Sequence, residues 1–131
     1  PSDPGLQGDE TVLVVEDEQS LRKLAARALK SFGYRVLLAE NAQDALQLMA
    51  AQGNEVHILI TDVVMPGLSG PALAAAVAKE HPALPNLYVS GHATDAIAQH
   101  GLLHERIEFL PKPYTPAGLA SKVREILNSR R

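Results

Sequence analysis

Four places along the chain put charged or hydroxyl groups directly after, or at the end of, a short apolar run. Glu16-Asp17-Glu18 follows Val12-Leu13-Val14-Val15, and Asp62 follows Ile58-Leu59-Ile60 with one threonine between. Ser90-Gly91 follows Leu87-Tyr88-Val89, and Pro111-Lys112-Pro113 follows Ile107-Glu108-Phe109-Leu110. Carboxylates that converge repel, and left unpaired they push each other's pKa upward. A divalent cation relieves that repulsion, and an oxygen-only donor set suits a hard ion. Magnesium takes one or two protein carboxylates, keeps several waters and bridges to phosphate oxygens. With a lysine and a hydroxyl added, such a set can hold a phosphoryl group in transfer. Each group also has an ordinary explanation. Acids are favoured at a helix start, Asp62 could be a turn acid, Lys112 a solvated loop lysine and Ser90 a cap. The chemical reading therefore depends on all of them sharing one rim of the fold.

The elements that would create such a rim are legible. Leu21, Leu24, Ala25, Ala28, Leu29 and Phe32 recur at helical spacing and stop at Gly33. Val36-Leu37-Leu38 is a further apolar run. Asn41 can cap a helix with Ala42, Ala45, Leu46 and Met49 on one face, stopping near Gly53. Pro71 suits the first turn of a helix presenting Leu73, Val77 and several alanines. Thr94 opens an alanine-rich helix that Gly101 ends. Thr115-Pro116 reads as cap and first residue of a last helix, with Leu119, Val123, Ile126 and Leu127 inward.

Strict strand–helix alternation argues for an α/β fold with a parallel sheet covered on both faces. Strands buried on both faces read as unbroken apolar runs, whereas the alternation at 107–110 suits a half-exposed edge. In an open parallel sheet, ligands bind beyond the carboxyl ends of the strands, where the strand order switches. If the first and third strands are neighbours, Glu16, Asp17 and Asp62 converge there.

Composition limits the alternatives. The chain has 131 residues, enough for one domain, and a 46% apolar content ordinary for a soluble protein. A net charge of -3 offers no electrostatic case for nucleic acid. The absence of cysteine removes disulfides and thiolate metal sites. The five histidines form no HExxH motif and read as surface or loop residues. No apolar stretch approaches the roughly 18 residues of a membrane span, so no membrane contact by this domain is expected. No Gly-rich phosphate-binding loop is present, so the chain is not built to hold a nucleotide itself. The chain starts at Pro1 rather than Met, and residues 1–10 are polar. They read as a linker or lead, with the domain over 11–131, the whole being a piece of a longer protein.

"VLVVEDE", "LITDVVMPGLSG", "YVSGHA" and "FLPKPYTP" resemble the four signature segments of the response-regulator receiver domain, and the likeness runs from Thr11 to Leu127. The resemblance implies a doubly wound five-stranded parallel sheet, flavodoxin-like (βα)5, in the order 2-1-3-4-5. It implies that Asp62 accepts phosphate from a phosphohistidine. Asp17 and Asp62 would bind Mg2+ or Mn2+ directly, Glu16 through water, and the Val64 backbone carbonyl would complete the protein ligands. Ser90 and Lys112 would bond the phosphoryl oxygens, and the Lys112–Pro113 peptide is expected to be cis, as in many members. Ser90 and Phe109 occupy the switch positions, and the helix opened by Thr94 is expected to move with them. His92 and Val64 stand where members tune loss of the phosphoryl group. Gly91 departs from a frequent alanine.

The resemblance also names partners: a histidine kinase phosphohistidine domain and a histidine phosphotransfer protein. "SGHATDAI" and "LPKPYTPAGLASKVREIL" look most like the C-terminal receivers of hybrid sensor histidine kinases, which sets a cytoplasmic location whether or not the parent is membrane-anchored. A free-standing regulator, or one with a DNA-binding output domain, is the alternative. The fragment is expected to phosphorylate and slowly dephosphorylate itself rather than act as an enzyme on an external metabolite. A phosphatase of the haloacid dehalogenase class would carry D-x-D, but Val64 stands two residues after Asp62. A degenerate receiver used only for contacts would lack an acid, the acceptor or the lysine.

Overall fold

The computed structural model describes residues 4–91 and 108–129. Five strands, β1 (Thr11–Val15), β2 (Arg35–Ala39), β3 (Ile58–Asp62), β4 (Asn86–Ser90) and β5 (Glu108–Pro111), form one sheet in the order β2-β1-β3-β4-β5. Every pairing is parallel. Because successive side chains on a strand point to opposite faces, the apolar runs feed two cores. Leu13, Val15, Leu59 and Tyr88 pack with Ala42, Ala45 and Met49 of α2 (Ala42–Gln52) and Leu73, Ala74 and Val77 of α3 (Gly70–Ala78). Val12, Val14, Ile58, Ile60, Leu87 and Val89 pack on the other face. Their partners are Ala25, Ala28 and Leu29 of α1 (Gln19–Ser31), and Leu119, Val123, Ile126 and Leu127 of α4 (Pro116–Ser129). This is the doubly wound, flavodoxin-like arrangement expected from the sequence. The order switches between β1 and β3, so a crevice opens at their carboxyl ends.

Local chemistry sets most element ends. The Asn41 side chain accepts from the Asp44 N–H at 2.8 Å, and the Thr115 hydroxyl accepts from the Gly118 N–H at 2.9 Å. At the end of α1, the Gly33 and Tyr34 N–H groups donate to the carbonyls of Lys30 and Leu29, at 3.0 and 3.2 Å. That reversal needs the φ of +98° at Gly33, a left-handed conformation that glycine adopts without strain. Gly53 is a stop of another kind. Its φ is −56°, and a 3-10 turn over Gly53–Glu55 continues from α2. A Cβ there would come within 2.6 Å of His81 Nε2, so any larger residue would require the His81 ring to shift.

Several expectations change on folding. Leu24 and Leu46 fit the helical spacing but are 43% and 37% exposed. The alanines occupy the sheet-facing lines of α1 and α2, and these two leucines are left on the flanks. The helix expected from Thr94 to Gly101, and Ile107 at the start of the last apolar run, lie outside the described residues.

Residues 7–10, polar enough to read as part of a linker, are hydrogen-bonded to the domain. The Gly8 N–H donates to Phe32 O and the Arg35 N–H donates to Glu10 O, both at 3.0 Å. Arg124 on α4 grips the same segment. Its two terminal nitrogens meet the Glu10 carboxylate at 3.0 and 2.7 Å, and one also donates to Gln7 O and to the Tyr34 hydroxyl, each at 3.2 Å. This fork-to-fork pair holds the Glu10 carboxyl down from 4.5 to about 2, chiefly through the Arg124 hydrogen bonds. A carboxyl lowered in the fold adds stability that is fully present above its unfolded pKa and is lost as pH falls through its folded value. Arg124→Met is therefore expected to lower the unfolding free energy by about 2 kcal/mol at neutral pH. Urea denaturation from about pH 6 to pH 2.5 should show wild type losing more stability than Glu10→Gln. Parallel losses in the two proteins would remove the pair from the account.

Candidate functional site

The crevice at the carboxyl ends of β1 and β3 holds the predicted acids. Glu16 directly follows β1 and is 4% exposed; Asp62 ends β3 and is 9% exposed; Asp17 lies exposed at the mouth. One carboxylate oxygen from each lies within 4.8 Å of those from the other two. Neighbouring strands at the switch point bring these residues together although 45 positions separate Asp17 from Asp62.

Lys112 completes the cluster. Its ammonium donates to Glu16 Oε1 at 2.7 Å and to Asp62 Oδ2 at 3.0 Å. The backbone aims it: the Lys112 N–H donates to Ser90 O at 2.9 Å, just past the β4–β5 ladder, and the next peptide, Lys112–Pro113, is cis as expected. Burial pushes the Glu16 carboxyl up, and the hydrogen bond from Lys112 only partly opposes it. Burial alone would lower the Lys112 pKa, but hydrogen bonds to Glu16 and Asp62 outweigh it and raise the value. Lys112 therefore stays an ammonium and supplies the positive charge that two buried carboxylates require.

Ser90 is buried at the end of β4, beside β3, where Val89 stands opposite Asp62. Phe109, opposite Tyr88, is half-buried and packs against the core on the α2–α3 face. It stands three residues before Lys112 on β5. Val64 is 56% exposed, two residues beyond Asp62 and before the turn at Gly67, whose φ is +79°. His92 lies outside the described residues.

Two contributors escape a reading of the sequence. Gly70 opens α3 against the end of β3: its N–H donates to Val63 O at 2.9 Å, and a Cβ would run into the Asp62 carbonyl. Glycine thus lets the helix start press directly behind Asp62. The other is Arg22, whose guanidinium donates to the Glu16 carbonyl at 2.7 Å. Nothing in the sequence separates it from Lys23, Arg27 and Lys30, the other cations of α1.

The donor set fits a small hard cation. It offers only carboxylate oxygens, two fixed by burial and one at the mouth where water can complete a coordination shell. A phosphoryl group brought to Asp62 would find the Lys112 ammonium already within hydrogen-bonding distance of that carboxylate.

Known proteins share this chain's fold and much of its sequence. The family model described as "Response regulator receiver domain" matches residues 12–124. The sensor kinase CckA of Brucella abortus (strain 2308) is 42% identical over 125 residues, which is 95% of this chain but 13% of that protein. The DNA-binding transcriptional regulator NtrC of Escherichia coli (strain K12) is 32% identical over 103 residues, 79% of this chain and 22% of that protein. This chain thus spans only a minor part of either relative. Among solved structures, the receiver domain of the hybrid histidine kinase CckA superposes with a TM-score of 0.76 at 33% identity, covering 89% of this chain and 98% of that one. The family match covers residues 12–124, most of the chain, and this protein belongs to the response regulator receiver domain family.

Proposed function

We propose that this domain is the phosphoacceptor of a two-component phosphorelay, with Asp62 receiving phosphate from a phosphohistidine. The observation that carries the reading is the contact of Asp62 with Lys112 inside a cluster of three carboxylates. One Asp62 oxygen forms a bond to phosphorus as the bond from phosphorus to the histidine nitrogen breaks. The electron pair leaves on the imidazole, which takes a proton from solvent. Both reactants are anionic, so the step needs positive charge fixed in advance. Lys112 supplies it by passing from the carboxylate to a phosphoryl oxygen, and the Ser90 hydroxyl donates to another. Asp17, Asp62, Glu16 through water and the Val64 carbonyl would hold a Mg2+ or Mn2+ ion. Such an ion, when bound, masks phosphoryl charge.

Slow hydrolysis of the aspartyl phosphate at the same site resets the domain, tuned by Val64 and His92. The domain turns over no external metabolite. Ser90 and Phe109 carry the change of state outward: new bonds to the phosphoryl group favour one of two arrangements, a shift of population within one fold.

The greater identity to the CckA relative, over more of the chain, favours a hybrid sensor histidine kinase as parent. There the tether would raise the local concentration of the acceptor near the phosphohistidine, and a histidine phosphotransfer protein would take the phosphate onward. The match to NtrC favours the second reading, a regulator with a DNA-binding output domain. Either parent places the domain in the cytoplasm. Among the described residues no helix is long and apolar enough to cross a membrane.

With acetyl phosphate and Mg2+, wild type is expected to gain one phosphate by intact mass and Asp62→Asn none. Equal labelling of the two proteins would move the acceptor elsewhere. Lys112→Ala is expected to slow labelling roughly 100-fold, the cost of removing one preorganised charge from a reacting centre. It should also be less stable than wild type in EDTA, because Glu16 and Asp62 lose their shared cation. Thermal melts should show Mg2+ stabilising Lys112→Ala more than wild type. A melt unmoved by the substitution would count against Lys112 as the balancing charge.

A further inference from the structure

One residue of α1 holds the whole turn that carries the acids. The backbone N–H of Arg22 donates to the Glu18 carbonyl at 2.9 Å, closing the first helical turn. Its guanidinium reaches further back. Nη1 donates to the Glu16 carbonyl at 2.7 Å and makes a long contact of 3.5 Å with the Asp17 carbonyl. Three successive carbonyls therefore face a single residue. The Arg22 side chain is 15% exposed, whereas Lys23, Arg27 and Lys30 on the same helix are exposed to solvent. Its other nitrogen lies 3.9 Å from Glu40, which is 62% exposed, so that ion pair adds little.

The remaining holds on the turn lie to either side of the Asp17 peptide. The Glu16 N–H donates to Ala39 O at 3.1 Å, and the Glu16 carboxylate accepts from the Glu18 N–H at 3.1 Å and from Lys112. Among the described residues no hydrogen bond reaches the Asp17 carboxylate. The direction of that exposed side chain is set by the peptides flanking it, and their carbonyls are what Arg22 grips.

We propose that Arg22 is a positioning residue for the cation site: it fixes the β1–α1 turn so that the Asp17 carboxylate points at Asp62. The inference rests on the reading of Glu16, Asp17 and Asp62 as the cation site. Mg2+ demands a near-ideal octahedron with short bonds, whereas Ca2+ accepts longer and more variable ones. A loosened turn therefore penalises Mg2+ more than Ca2+. The charge of Arg22 has the opposite signature. A cation beside an acid cluster weakens binding of both ions, so removing charge alone strengthens both. A lysine cannot replace the fork, since its ammonium is a single point charge.

The test is titration of wild type, Arg22→Met, Arg22→Lys and Asp17→Ala with Mg2+ and separately with Ca2+. Binding is followed by amide chemical shifts in residues 16–18 and 62–64. Both Arg22 variants are expected to lose about 10-fold in Mg2+ affinity, the scale seen when a partner of a metal ligand is removed, and less in Ca2+ affinity. Arg22→Lys keeps the charge, so it carries the test if Arg22→Met does not fold. Unchanged or tighter Mg2+ binding, or parallel losses for the two ions, overturns the positioning role. If Asp17→Ala weakens Mg2+ binding while the Arg22 variants do not, only the role of Arg22 falls. If Asp17→Ala leaves Mg2+ binding as it is in wild type, the cation site itself is wrong and the proposal falls with it.

Discussion

Two carboxylates sit buried at the ends of adjacent strands, and a single ammonium lies between them. Glu16 and Asp62 would repel by roughly 3 kcal/mol at the separations seen here if nothing lay between them. Lys112 turns that repulsion into two charge-assisted hydrogen bonds, at 2.7 and 3.0 Å. The lysine has to come from the far side of the sheet, because β4 stands between β3 and β5. The acids converge once β1 and β3 pair, but Lys112 reaches them only when β4 and the edge strand β5 have also paired in register. Removing Lys112 leaves two buried carboxylates without a counter-charge, which costs more than the intact set contributes.

The opposite rim carries a second charged device. Glu10 precedes β1, Tyr34 precedes β2, and both meet Arg124. α4 links the two rims. It begins four residues after Lys112, carries Arg124 in its ninth position, and buries Leu119, Val123, Ile126 and Leu127 against the sheet. At 1.5 Å per residue its 14 residues run about 21 Å, enough to cross the sheet from one end to the other. Apolar burial holds the layers together; the charged sets at either end fix how the chain enters and leaves them.

The acid crevice also divides labour between rigidity and access. Gly70 lets α3 press behind Asp62, and the ladder to β4 holds its neighbour Val63. Asp17 and Val64, by contrast, face the exterior. A carboxylate fixed from behind, in a crevice whose mouth is exposed, suits the phosphoacceptor role proposed for Asp62. Rigid placement reduces the ordering cost at the moment of reaction.

What the sequence by itself determined is local. Unbroken apolar runs marked the central strands, and Asn41, Thr115, Pro71 and Gly33 marked helix ends through their own hydrogen bonds or backbone limits. The acids at the strand ends were visible as residue types in place. Their convergence was not, since it follows from β1 lying beside β3, a pairing between segments more than 40 positions apart. Helical spacing alone could not tell Leu24 or Leu46 from core residues, because alanines took the sheet-facing lines. Nor could it separate Arg22 from the exposed cations of α1, or join Arg124 to Glu10 across 114 positions. Spacing along a chain reports which face of an element a residue occupies. Which groups meet across elements depends on how those elements pack, and only the tertiary structure decides that.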